Sequence, residues 1–279
     1  MGKNTYLEVL SRASSFLEEQ KKEGYSIQFL FLERKGWEKI DWLLHMNEPM
    51  TEEDKKIVEQ DLEMLLKNYP PQYLLGYADF YGHRLKVTED TLIPRPETEE
   101  LVELCLTETA NEALRVVDIG TGTGAIAISL KSERSQWQVS AIDLSLQALA
   151  VAKENAKKEQ VDIQFYHGDT LEPVSDQSFD VIISNPPYIR LDEWALMDES
   201  VRTFEPKMAL FAEDEGLAIY KKIAKEAKKS LKPEGKIYLE IGYSQGKAVQ
   251  QIFQEAFPMK KVEIRKDLFG NDRMITVFN

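Results

Sequence analysis

The sequence predicts an α/β protein: a doubly wound, mostly parallel sheet with an antiparallel hairpin at one edge, behind a small bundle of helices. Three observations carry this. Apolar strand runs alternate with helical stretches from residue 93 onward, a glycine-punctuated strand-to-helix turn occupies 116–130, and the first seventy residues show helical spacing alone.

The elements follow in order. Tyr6, Leu10, Ala13 and Leu17 recur at the spacing of one helix face, and Ile27, Leu30 and Phe31 begin another. Thr51 suits the N-cap of a helix carrying Val58, Leu62, Leu65 and Leu66, which should end before Pro70-Pro71 because proline disfavours the α conformation in the residue preceding it. Residues 1–71 therefore read as a helical domain without a catalytic signature, a module for packing or substrate docking. Residues 72–92, punctuated by Gly76 and Gly82, read as a hairpin connector, with the alternation of a short hairpin over Gly76–Val87. The remainder, 93–279, should hold strands at 115–119, 138–142, 163–166, 179–184 and 236–241, with a clear helix through Leu217, Tyr220, Ile223, Ala224, Ala227 and Leu231. The tail reads as two strands around Gly270-Asn271-Asp272, the antiparallel edge that parallel sheets accept.

Composition narrows the function classes. Hydrophobic residues make up 43% and charged residues 30%, a folded rather than disordered balance. No apolar run reaches the roughly 18 residues of a membrane span, and no signal-peptide core is seen, so no membrane partner is expected. The single cysteine, Cys105, forms no intrachain disulfide, which suits a cytoplasmic location; within an apolar helical stretch it reads as core. Three scattered histidines and one cysteine do not make a zinc site, so no metal is expected. The formal charge of −13 counts against a nucleic-acid substrate, since backbone binding gathers positive charge. A small-molecule or protein partner fits better.

Two constellations carry chemistry. In VVDIGTGTGAIAISL an apolar strand ends at Ile119, and Gly120-Thr121-Gly122-Thr123-Gly124 turns into a helix; glycine is needed where a Cβ would block the turn or a ligand. Asp143 follows the second strand, where a carboxylate can accept both hydroxyls of a ribose. Together they predict a nucleoside cofactor on a Rossmann-like sheet. With Ala125 in third place the loop satisfies a dinucleotide pattern as well as a methyl-donor loop, and a ligand-free tight turn is the bland alternative.

The second is FDVIISNPPYI, a buried strand ending in Asn185-Pro186-Pro187-Tyr188. In a doubly wound sheet the first and fourth strands flank the switch point where ligands bind, so Gly120 and Asn185 should face one crevice. The prolines fix a rigid turn. The Asn185 side-chain oxygen and the Pro186 carbonyl can each accept a hydrogen from an NH2 group, and Tyr188 can stack on a flat one. Such a clamp suits a planar amide or exocyclic amine, whose lone pair needs orientation rather than a base. The alternative, a strand that merely ends in prolines, leaves Asn185 and Tyr188 unexplained.

Asn185–Tyr188 resembles the motif of S-adenosylmethionine-dependent amino-methyltransferases, Asn or Asp, Pro-Pro, then an aromatic. LIPRPETEELV at 92–102, PPQYLLGYADFYG at 70–82, EPKMALFAEDEGLAIY at 205–220 and KDLFGNDRMITVF at 266–278 resemble the release-factor glutamine methyltransferases, the HemK/PrmC family, over nearly the whole chain. The resemblance implies a class I methyltransferase sheet and methyl transfer from S-adenosyl-L-methionine, leaving S-adenosyl-L-homocysteine, to the glutamine amide nitrogen (N5) in the Gly-Gly-Gln motif of peptide-chain release factors. It implies that Gly120, Thr121, Gly122, Thr123 and Gly124 wrap the methionine end of the cofactor, that Asp143 holds its ribose, and that Asp169 and Thr170 flank its adenine. Many relatives carry an aromatic where Thr170 stands. It implies too that Asn185, Pro186, Pro187 and Tyr188 clamp the glutamine, with Asn185 also beside the cofactor, and that Leu92 lines the glutamine pocket.

Arg95, Glu97 and Glu99 can position ligand or cap the helix that follows. Acids are favoured in a first turn by the helix dipole, so Glu99 reads as structural and Glu97 fits either role. His167 reads as a polar loop residue. A monomer is expected, and docking through the acidic surface should slow as salt rises. Three alternatives stand beside this reading. A ribosomal-protein glutamine methyltransferase would use the same clamp. A nucleic-acid N6-adenine methyltransferase would want a basic groove. A non-catalytic binding module would fail to bind the cofactor.

Overall fold

In the computed structural model, which describes residues 4–279, the chain divides into two units: residues up to Tyr77 with Asp198–Phe204, and Ala78–Met197 with Glu205–Asn279. The first three residues of the expected 1–71 domain lie outside the described residues.

The first unit is built on α1 (Tyr6–Glu19), α2 (Tyr25–Lys35), α3 (Lys39–His45), α4 (Glu52–Leu66) and α5 (Pro71–Leu75). Thr5 caps α1 by accepting from the Glu8 amide at 3.2 Å, and Thr51 caps α4 by accepting from the Asp54 amide at 3.1 Å. The faces read from spacing are the buried ones: Tyr6, Leu10, Ala13 and Leu17 meet Ile27, Leu30, Phe31, Val58 and Leu65 in one core. Arg34 forks onto the buried Asp61 with two contacts of 2.8 Å. Pro71 opens the short helix α5, a position where its missing N–H is no loss, so residues 72–75 are helical ahead of the hairpin.

The second unit starts with a two-stranded hairpin, β1 (Tyr77–Phe80) and β2 (His83–Lys86), although Tyr77 itself belongs to the first unit. Then come α6 (Pro96–Glu108), β3 (Arg115–Ile119), α7 (Ala125–Glu133), β4 (Gln138–Asp143), α8 (Leu146–Lys158), β5 (Gln164–His167) and β6 (Phe179–Ser184). After these follow α9 (Glu199–Phe204, in the first unit), the short α10 (Lys207–Leu210) and α11 (Glu213–Gly216), and α12 (Ala218–Ser230). The chain closes with β7 (Leu231–Glu240), α13 (Gly246–Ala256), β8 (Lys261–Lys266) and β9 (Asp272–Phe278). The sheet order is β5-β4-β3-β6-β7-β9-β8, parallel from β5 to β7 and antiparallel at β9 and β8.

Strands covered on both faces are mostly apolar, which is why β3 and β6 read as apolar runs interrupted within by Asp118 and Asp180 alone. One core layer holds Val116, Ile128, Trp137 and Val181; the other holds Val117, Ile182, Tyr220 and Phe253. Because β4 lies on one side of β3 and β6 on the other, the chain reverses its winding there, and the carboxyl ends of β3 and β6 open a crevice. Among the described residues no helix is long and apolar enough to cross a membrane.

Candidate active site

The loop after β3 forms one wall of the crevice. Gly120, Gly122 and Gly124 have φ of +70°, +54° and +83°, the left-handed region that side chains resist. Their reasons differ. A Cβ on Gly120 would meet nothing within 4 Å, and Gly120 lines the cavity, so the bare backbone keeps space for a ligand. A Cβ on Gly124 would come within 3.0 Å of Ile128 Cδ1 and 3.3 Å of Ala152 Cβ, so this glycine lets α7 pack against α8. The amides of Gly120 and Thr121 donate to the Ile142 carbonyl at 2.9 and 3.0 Å, and the Asn155 amide group donates to the Thr123 carbonyl at 2.9 Å. Thr121 and Thr123, within the loop, are buried. The Thr121 hydroxyl donates to Asp118 Oδ2 at 2.6 Å, while Asp118 Oδ1 has no partner among the described residues. Burial pushes the Asp118 carboxyl up to about 7.

Asp143 ends β4 and faces the same cavity. Its Oδ2 accepts from the Gly122 amide and its Oδ1 from the Ser145 amide, both at 2.8 Å. Burial raises its carboxyl above the usual range, against the pull of those amides. Each oxygen keeps a lone pair for a further donor, as a vicinal diol would need.

Asn185, Pro186 and Pro187 leave β6 on the opposite wall. Asn185 Nδ2 donates to Thr98 Oγ1 at 2.9 Å, and Thr98 Oγ1 donates to Glu240 Oε2 at 2.6 Å. Tyr188 does not line the cavity. Its ring packs on the core, its hydroxyl donates to Glu240 Oε1 at 3.4 Å, and its carbonyl accepts from Gln245 Nε2 at 2.9 Å. Burial beside Glu240 raises the Tyr188 phenol well above its ordinary value.

The cavity measures about 310 Å³, within the roughly 300–1,000 Å³ of small-molecule sites. It brings together Leu92, Gly120, Asp143, Asp169, Thr170, Asn185, Pro186 and Pro187, but not Thr121, Gly122, Thr123, Gly124 or Tyr188. The hydroxyl of Thr170 donates to Glu226 at 2.6 Å, and Asp169 pairs with Lys222 at 2.5 Å. Glu99 accepts from the Tyr81 amide at 2.7 Å and so ties α6 to the hairpin. Glu97 is half-buried in the first turn of α6, and its charge acts on both Tyr188 and Glu240. His167 is exposed and Cys105 fully buried.

Three residues escaped sequence reasoning. Glu205, buried, accepts from the Ile93 amide at 3.0 Å and pairs with Arg95, clasping the segment that carries Leu92 to the one that carries Met208 and Phe211. Thr98, between Glu97 and Glu99, carries no signal of its own in the sequence. Glu240 offered a usable signal: a carboxylate ending a buried strand needs a reason to be there.

A family model described as PrmC N-terminal domain matches residues 8–76, and one described as methyltransferase small domain matches residues 98–204. A release factor glutamine methyltransferase of Enterococcus faecalis is 58% identical over 96% of this chain and 97% of its own length. The chain belongs to the release factor glutamine methyltransferase family. A member from Lactococcus lactis is 48% identical over 98% of this chain and 99% of its own. Among solved structures, a methyltransferase from Pyrococcus furiosus superposes with a TM-score of 0.55 at 17% identity, covering 79% of this chain and 98% of its own, a likeness of fold. The second unit therefore carries a class I methyltransferase sheet, and the protein is a methyltransferase.

Proposed function

We propose that the protein transfers a methyl group from S-adenosyl-L-methionine to the side-chain amide nitrogen (N5) of the glutamine in the Gly-Gly-Gln motif of peptide-chain release factors. The observation that carries this reading is one cavity lined by both Gly120 with Asp143 and Asn185 with Pro186 and Pro187. The residues fit the cofactor: Gly120 keeps open the space that a Cβ would fill, and Asp143 retains lone pairs for a ribose diol. When bound, S-adenosylmethionine supplies an electrophilic methyl on a sulfonium. Asp169 and Thr170 would flank its adenine by shape rather than by ring stacking, since the Thr170 hydroxyl is committed to Glu226.

The chain's own work is orientation. Asn185 Oδ1 and the Pro186 carbonyl accept the two amide hydrogens of glutamine, which aims the nitrogen lone pair beside the apolar side chains of Leu92, Met208 and Phe211. Gly122 and Thr123 act through the loop's backbone: the Gly122 amide fixes Asp143, and the Thr123 carbonyl is tied to α8. Thr121 and Gly124 likewise shape the loop. Tyr188, set into the core, anchors the clamp rather than stacking on substrate. The helical unit would dock the release factor.

The test offers radiolabelled S-adenosylmethionine to purified enzyme with release factor, ribosomal proteins, or adenine-containing DNA and RNA. Label on release factor alone supports the reading. Label on ribosomal protein or nucleic acid, with none on release factor, overturns it.

A further inference from the structure

The polarity of an asparagine amide decides what it can hold. With Oδ1 toward the substrate, Asn185 accepts an amide hydrogen; turned over, it offers hydrogens to a group that has hydrogens of its own. What fixes the side chain is therefore part of the site.

The hydrogen-bond chain behind Asn185 has one consistent direction. Glu240 is 2% exposed and Thr98 5% exposed, so neither finds a partner in solvent. An ionised Glu240 only accepts. The Thr98 hydroxyl has one proton and must donate it to Glu240, at 2.6 Å. Thr98 then meets Asn185 with a lone pair alone, at 2.9 Å, and only Nδ2 satisfies it. Oδ1 is left on the far side of the amide, as the clamp requires. We propose that Glu240, acting through Thr98, is the positioning residue that sets the amide polarity of Asn185 for the substrate glutamine. This rests on the reading of Asn185 as the glutamine clamp.

The surroundings make the device sensitive to protons. Tyr188 donates to Glu240 Oε1 at 3.4 Å, Tyr220 donates to the Glu240 main-chain carbonyl at 2.9 Å, and the charges acting on Glu240 are Arg273 from β9 and Glu97 from α6. Arg273 is itself held by Asp267 at 3.3 Å. Burial dominates this set and pushes the Glu240 carboxyl up to about 7. Once protonated, Glu240 can donate to Thr98, Thr98 can turn its proton on Asn185, and the reversed amide becomes the satisfied one. Clamp polarity is thus held above about pH 7 and released below it.

The experiment has two arms. In the free enzyme, the Asn185 side-chain NH2 is followed by 15N NMR from about pH 6 to about pH 8. It should titrate near 7 in the wild type and not in Thr98→Val. In single-turnover methyl transfer, Thr98→Val should lose roughly 10–100-fold in rate with cofactor affinity unchanged, the scale of a misplaced reacting group. Thr98→Ser, which keeps the hydroxyl, should recover most of that loss. Glu240→Gln should abolish the acid limb of the rate profile, and it decides the matter should Thr98→Val not fold. An Asn185 amide that does not titrate in the wild type, or a Thr98→Val enzyme as fast as wild type, overturns the proposal. Release factor left unmethylated by the wild type overturns the functional reading instead, with the NMR arm still deciding the relay.

Discussion

Gly120 and Gly124 carry the same letter in one loop, and alanine at each should fail differently. Both positions have positive φ, +70° and +83°, so each substitution costs about 1–2 kcal/mol of backbone strain. At Gly124 the new methyl also crowds Ile128 at 3.0 Å and Ala152 at 3.3 Å. Overpacking of this kind adds about 1–3 kcal/mol. Gly124→Ala should therefore lose roughly 2–5 kcal/mol. At about 2–4 °C per kcal/mol for a body of this size, that lowers Tm by roughly 4–20 °C. Gly120→Ala meets no atom within 4 Å, so it should lower Tm by only about 2–8 °C. Its methyl, however, stands in the cavity. Cofactor Kd, measured by calorimetry below both melting points, should rise by about tenfold or more in Gly120→Ala, a cost of about 1.4 kcal/mol. In Gly124→Ala it should stay within about threefold of wild type. Wild-type affinity in Gly120→Ala, or loss of affinity confined to Gly124→Ala, would refute the assignment of Gly120 to the ligand wall.

Other outcomes follow from the buried titratable groups and the charge. Burial raises Asp118 from 3.8 to about 7, so the folded state holds that proton more tightly than the unfolded chain. Its contribution to stability is complete below about pH 4 and is lost as pH rises to about 7. Asp118→Asn should accordingly flatten the fall in Tm between about pH 5 and about pH 8, and an unchanged slope would contradict the account. The thiol of Cys105 is fully buried and pushed up to about 12, so a neutral thiol reagent at about pH 8 should label it only after denaturation. With a net charge of −13, association with a release factor through the acidic surface should slow as salt rises, as stopped-flow would show; a salt-independent rate counts against steering.

Much of this molecule was legible because its signals are local. The face Tyr6, Leu10, Ala13 and Leu17 follows from helical spacing, and β3 and β6 announce themselves as apolar runs because both faces are covered. The shared crevice of Gly120 and Asn185 followed from the rule that ligands sit at the switch point. Long-range partners were not legible. That Thr98 reaches Glu240 across 142 positions, and that Glu205 clasps Ile93 across 112, is decided by tertiary packing. Tyr188 shows the same limit. An aromatic after Pro-Pro suggested stacking on substrate, but the buried Glu240 and the core beside it claim the ring. The helix capped by Thr51 ends at Leu66, ahead of Pro70-Pro71, while the short helix that Pro71 opens carried no signal beyond the proline itself.

The most direct test of the account is peptide mass mapping of release factor after incubation with S-adenosylmethionine and either wild-type enzyme or Asn185→Ala. One added methyl should appear on the Gly-Gly-Gln glutamine with the wild type, and transfer should be at least about a hundredfold slower with Asn185→Ala at equal cofactor binding. A methyl on another residue, or equal rates for the two enzymes, would contradict it.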